Sequence, residues 1–106
     1  MLRHVVLFNW KPETPPEKIR EIEETFCALP AKIPEIAGFE WGTDVSVQGF
    51  DQGFTHCFVV SLASEADRDT YLPHPDHALF IALSRPHVEK ILVVDYFSQD
   101  ATGSTI

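Results

Sequence analysis

Large apolar residues alternate with polar ones almost from the start of the chain. Leu2, His4, Val6, Phe8 and Trp10 fall on one face of an extended segment, and Arg3, Val5, Leu7 and Asn9 on the other. A weaker alternation over 39–47 puts Phe39, Trp41, Thr43, Val45 and Val47 together, interrupted by Gly42 and Asp44. The turn-rich run Gln48-Gly49-Phe50-Asp51-Gln52-Gly53 predicts a hairpin loop leading into a third strand over 54–62. There Phe54, His56, Phe58, Val60 and Leu62 share a face opposite Thr55, Cys57, Val59 and Ser61. A final strand spans 88–98, built on Ile91-Leu92-Val93-Val94-Asp95-Tyr96-Phe97.

Helical spacing fills the gaps. Thr14-Pro15-Pro16-Glu17 predicts a helix start with Thr14 as cap, and Ile19, Ile22, Phe26 and Leu29 form one apolar stripe ended by Pro30. Ser64-Glu65-Ala66-Asp67 resembles a capping box and opens a second helix running to about Leu72. Pro73 and Pro75 bias Leu72 and His74 away from helical dihedrals and break it. Asp76 is the expected cap of a further helical piece carrying His77, Phe80, Ile81 and Ser84 and ending before Pro86.

The order strand, helix, strand, strand, broken helix, strand predicts an α+β, ferredoxin-like βαββαβ fold. It is a four-stranded antiparallel sheet with helices on one face. Residues 1–98 form the single domain, and the small, polar residues 99–106 read as a flexible C-terminal tail. Helices on one side cover one face only, yet strands one, three and four are apolar on both. Leaving Val5, Leu7 and Val59 in water exposes a patch of the kind that marks an interface, so a homodimer through the open sheet face is expected.

Composition narrows the partners. The 106 residues hold eight Lys and Arg against sixteen Asp and Glu, a formal charge of −8 with no basic cluster, which argues against nucleic acid and anionic membranes. No apolar run is long enough to cross a bilayer and the opening segment reads as a strand, so the expected location is the cytoplasm. There Cys27 and Cys57 are expected as buried thiols, not a disulfide.

Candidate chemistry concentrates in Tyr71 to Phe80, Tyr-Leu-Pro-His-Pro-Asp-His-Ala-Leu-Phe. Tyr71 and His77 come from the helical layer and reach only the helix-covered face. His4 and His56, beside Phe8, Trp10 and Phe58, are assigned to that same side, so four polar side chains are expected to converge in a mostly apolar cavity. Histidine suits proton abstraction near neutral pH, and a tyrosine hydroxyl or second imidazole suits enolate stabilisation. Each histidine also has a structural reading: His77 bonded to a backbone carbonyl, His4 and His56 satisfied by buried partners, His74 holding its loop, and His87 at the surface. His74, Asp76 and His77 match no metal-ligand spacing, so no metal or cofactor is read. Asp95, inside an apolar strand, needs a partner, for which Arg3 or Tyr71 are the candidates.

The chain resembles the stress-responsive dimeric α/β-barrel (Dabb) family over residues 2–98. The resemblance is carried by Arg3-His4-Val5-Val6-Leu7-Phe8, by Thr55-His56, by His74-Pro75-Asp76-His77-x-x-Phe80 and by Leu92-Val93-Val94-Asp95-Tyr96. It implies a homodimer whose two sheets form a barrel. It also implies a relation to plant polyketide cyclases that close a ring by aldol-type condensation without a metal. On that resemblance the base falls on His77, an assisting tyrosine on Tyr71, and the other pocket histidines on His4, His56 and His74. Phe58 and Phe80 are taken as apolar lining. The expected function is a cyclase-like lyase acting on a small apolar or carbonyl-bearing ligand. The alternatives are a non-catalytic ligand-binding stress protein and an oxygenase of the antibiotic-biosynthesis-monooxygenase kind.

Overall fold

The computed structural model describes residues 1–99, so the expected tail lies almost wholly outside the described residues. Strand β1 (Leu2–Trp10) leads to helix α1 (Pro16–Cys27), a short 3₁₀ turn (Leu29–Ala31) and strand β2 (Ile36–Thr43). Strand β3 (His56–Leu62), helices α2 (Glu65–Tyr71) and α3 (Pro75–Ser84), a second 3₁₀ turn (Arg85–His87) and strand β4 (Val88–Phe97) follow. The strands form one antiparallel sheet in the order β2-β3-β1-β4, the ferredoxin-like arrangement. Among the described residues no helix is long and apolar enough to cross a membrane.

Several boundaries differ from expectation. Strand β2 begins at Ile36, not Phe39, and stops at Thr43, because Val45 and Val47 have no strand beside them. Helix α1 starts from Pro15 with no side-chain cap; the Thr14 hydroxyl donates instead to the His87 carbonyl, 3.4 Å away. Ser64 caps α2 as expected, accepting from the Asp67 N–H at 3.1 Å. The cap of α3 is His74, not Asp76: its Nδ1 accepts from the Asp76 N–H at 3.1 Å. Leu72 keeps helical dihedrals despite preceding a proline, whereas His74 is extended. The two cysteines are free, but Cys27 is exposed and Cys57 half-buried, so neither is the core thiol expected.

The core lies between helices and sheet. Phe26 on α1 stacks on Phe58 of β3, ring centroids 4.4 Å apart, and sits equally close to Phe80 of α3. Leu2, Val6, Phe8, Val60 and Leu62 close it from the sheet, Ile22, Leu29 and Ile33 from above. The other face, carrying Val5, Leu7, Val59, Leu92, Val94 and Tyr96, has no helix over it. Leu92 and Val94 remain 45% and 48% exposed.

Phe26→Ala removes the ring that joins β3 to α3. It is expected to cost about 3–5 kcal/mol of unfolding free energy, read as a lower midpoint in urea unfolding. A loss under about 1 kcal/mol would show that this aromatic cluster is not the centre of the core.

Candidate functional site

A cavity of about 280 Å³ opens between the sheet and α3, close to the lower end of the usual size for small-molecule sites. Its wall is mostly apolar, formed by Val6, Phe8, Phe26, Phe80, Ile81 and Val93 among others. The polar groups that enter it are His4, His77, Asp95, Ser84 and Arg85.

The helix break sets His77. In an unbroken helix the Leu72 carbonyl would take the Asp76 N–H, but that N–H goes to the His74 ring. The freed carbonyl lies 2.8 Å from His77 Nδ1. A carbonyl only accepts, so Nδ1 carries the hydrogen and Nε2 keeps its lone pair. Burial lowers the pKa of His77 below its ordinary 6.5, opposed by the Leu72 bond and reinforced by His4 and His74. The result is a neutral imidazole with a free basic nitrogen in an apolar cavity.

His4 is fixed in the same way by a different partner. Its Nδ1 lies 2.6 Å from Asp95 Oδ1, and Arg68 reaches the other carboxylate oxygen at 3.4 Å. The carboxylate accepts the Nδ1 hydrogen, orients the ring and leaves Nε2 unbonded. Strand register explains the pairing, since His4 stands directly opposite Asp95 between β1 and β4. Neither expected partner of Asp95 is correct: Arg3 points to the open face, where it donates to Ser61, and Tyr71 has no hydrogen bond.

Tyr71 is fully buried between these imidazoles, its ring 4.5 Å from that of His77 and 5.8 Å from that of His4. Burial raises its pKa, so the phenol stays protonated. Its hydroxyl has no hydrogen-bond partner among the described residues, an uncommon state for a buried donor.

The structure therefore brings His4, His77 and Phe80 into the cavity wall, places Tyr71 behind that wall against both imidazoles, and sets three expected site residues apart. His56 is on the helix side of the sheet but outside this cavity. Its Nε2 lies 2.7 Å from Glu23 of α1, and its Nδ1 accepts from the Trp10 indole N–H at 3.0 Å. The ring is thus a neutral clamp between sheet and α1, and the expected convergence of four polar groups does not include it. His74 is spent on capping α3. Phe58 is fully buried core and does not line the cavity. His87 is half-buried and holds β1 through its carbonyl, which accepts from the Lys11 N–H at 2.9 Å. Among the described residues no group of three or more His, Cys, Asp or Glu is placed to hold a metal ion.

Sequence reasoning missed the Asp95–His4 pair and the Arg68, Ser84 and Arg85 contributions. The signal for the pair was present, an acid in an apolar strand and a histidine on an apolar face. Joining them needed the register of β1 against β4.

Comparison with known proteins agrees with the fold. Residues 2–98 match the stress responsive A/B barrel domain, Dabb. The stress-response A/B barrel domain-containing protein HS1 of Arabidopsis thaliana is 35% identical over 95 residues, 90% of this chain and 87% of that protein. Olivetolic acid cyclase of Cannabis sativa is 30% identical over 95 residues, covering 90% and 94%. Among solved structures, the hydroxynitrile lyase of Passiflora edulis superposes with a TM-score of 0.88 at 29% identity, covering 93% of this chain and 94% of the lyase. A dimeric ferredoxin-like protein of Thermobifida fusca, of unknown function, superposes with a TM-score of 0.78 at 26% identity, covering 90% and 88%.

The lowered pKa of His77 has a defined consequence for stability. Just below pH 6.5 the unfolded chain binds a proton at this ring and the folded chain does not. His77 therefore makes stability fall as pH drops through 6.5, levelling off below the folded-state pKa. Urea unfolding across pH 4.5–7.5 is expected to show this slope, reduced in His77→Gln, and NMR titration is expected to place His77 below 6.5. Titration of His77 at or above that value would contradict the site as described.

Proposed function

We propose that this chain, which belongs to the stress responsive A/B barrel domain (Dabb) family, catalyses carbon–carbon bond chemistry at a small carbonyl compound, with its own side chains as acid and base. The observation that carries this reading is His77. Its Nδ1 hydrogen is committed to the Leu72 carbonyl, and burial keeps the ring neutral. That leaves a base for a proton α to a carbonyl.

The reaction fits the groups present. His77 Nε2 takes the α-proton, and the electron pair left on carbon shifts into the carbonyl, forming an enolate. Tyr71, a buried donor without an acceptor of its own, hydrogen-bonds the enolate oxygen. The enolate carbon then attacks a second carbonyl of the same molecule, a carbon–carbon bond forms, and the new alkoxide takes back the proton held by His77. His4, oriented by Asp95, positions the carbonyl oxygens. The reverse direction breaks the same bond, so one set of groups serves a cyclase or a lyase. A relative named as a cyclase and a structural neighbour named as a hydroxynitrile lyase both support that range.

The working unit is a homodimer joined through the open sheet face, supported by the uncovered Val5, Leu7, Leu92 and Val94 and by the dimeric state of a structural neighbour. We place it in the cytoplasm, where its two free thiols stay reduced. A second reading, a non-catalytic carrier of an apolar ligand, is favoured by the largely apolar cavity wall.

The two readings separate in one experiment. Linear 3,7-dioxo thioesters of varied chain length, in which C2 can close a six-membered ring on the C7 carbonyl, are incubated with the protein and ring-closed products are quantified by chromatography. His77→Ala is expected to lower turnover by about 10²–10⁴-fold and Tyr71→Phe by about 10²-fold, with ligand binding little changed. Turnover unaffected in His77→Ala would reject the proposed base. Tight binding without turnover, surviving His77→Ala, would establish the carrier.

A further inference from the structure

We infer that the ligand of this cavity carries a carboxylate remote from its reacting carbonyl, and that Arg85 binds that carboxylate at the end of the cavity opposite His77. The inference rests on the carbonyl chemistry proposed above and names the class of compound that undergoes it, a linear oxo acid.

The first observation is that the cavity has two polar ends. Along β1 and β4, His4 stands opposite Asp95, Val6 opposite Val93, Phe8 opposite Ile91 and Trp10 opposite Val88. The rings of His4 and His77, with Tyr71 against both, occupy the Asp95 end. Helix α3 carries the chain from His77 towards Val88, so Ser84 and Arg85, where the helix finishes, line the other end. At about 1.5 Å rise per residue, the backbone places Arg85 about 12 Å beyond His77. Phe8, Phe80, Ile81, Val88, Ile91 and Val93 line the stretch between, and none of them offers a side-chain hydrogen bond.

The second observation is that the charge at the far end is uncommitted. Among the described residues Arg85 is the one Lys or Arg that lines the cavity. Lys18 pairs with Glu21, and Arg68 with Glu65, Asp69 and Asp95, whereas Arg85 is in no ion pair among these residues. That is unexpected in a chain with sixteen acids for eight bases. Asp95, the other charged group of the cavity wall, lies at the opposite end and is held by Arg68 and His4.

The far end is also anchored. The His87 carbonyl accepts from the Lys11 N–H at 2.9 Å and from the Thr14 hydroxyl at 3.4 Å, and Pro86 restricts the turn that carries Arg85. Beside it Ser84 is buried, with its hydroxyl 3.5 Å from the Ile81 carbonyl, at the limit of a hydrogen bond. A hydroxyl so weakly held can turn its hydrogen to a ligand oxygen. The guanidinium fork matches the two oxygens of a carboxylate. The carbonyls that end α3 carry partial negative charge, so the guanidinium is what draws an anion here. An extended chain advances about 1.2 Å per bond, and about eight to ten bonds then join the carbonyl at His77 to the carboxylate at Arg85.

Calorimetric titration with matched ligands tests this without turnover. 9-Oxodecanoate sets its carbonyl and carboxylate at the required separation, and 9-oxodecanamide is its uncharged counterpart. The protein is expected to bind the acid about 10–100-fold more tightly than the amide. Arg85→Gln is expected to abolish that preference and leave the affinity for the amide unchanged, with unfolding temperature verifying that the variant is folded. Equal binding of acid and amide, a preference that survives in folded Arg85→Gln, or binding of neither compound would overturn the inference. Turnover of the dioxo thioesters separates it from the reading on which it rests. An acid preference lost in Arg85→Gln, with no turnover, would reject the carbonyl chemistry and keep the carboxylate site; turnover with no acid preference would do the reverse.

Discussion

A four-stranded sheet apolar on both faces, with helices for only one of them, is the constraint on which the rest of this structure depends. On the helix side, Phe26, Phe58 and Phe80 fill the centre of the layer. The helices stop short of β4, and the gap between α3 and the β1–β4 edge is the cavity. On the other side the same strands leave Val5, Leu7, Leu92 and Val94 without cover. The cavity and the uncovered face are thus two results of one shortage of covering layer, and both converge on β4.

Within the cavity the chemistry is set by what the second ring nitrogen of each histidine is made to do. The Pro-His-Pro break spends His74 as a cap, which releases the Leu72 carbonyl to hold His77. Asp95 performs the corresponding task for His4. Both rings present Nε2 unbonded, and a protonated phenol lies against them. A buried hydroxyl with no partner is a standing penalty of about 1–3 kcal/mol, of the kind that marks a functional site when the rest of the core is well satisfied.

Fold and site were legible in the sequence to different depths. The alternation in β1, β3 and β4 and the proline break gave the strand order and the two-sided sheet, because side-chain period is a property of each strand alone. Position along a strand is not. His4 and His56 share a face, but β1 and β3 run antiparallel, with His4 opposite Val60 and His56 opposite Phe8. That separation hands His56 to Glu23 and Trp10 and keeps it from His77. The partner of Asp95 was hidden for the same reason. The caps went astray where two side chains of similar capacity competed, Thr14 with its neighbouring prolines and Asp76 with His74.

The central claim is that the uncovered sheet face and the open cavity both exist for occupants. Native mass spectrometry of the gently purified protein tests it most directly, reporting assembly and retained small molecules together. The account predicts a species of twice the 12.0 kDa chain, carrying an apolar or carbonyl-bearing molecule released on denaturation. A stable monomer at micromolar concentration would contradict it, since the apolar face of β1, β3 and β4 would then stand in water with nothing to cover it.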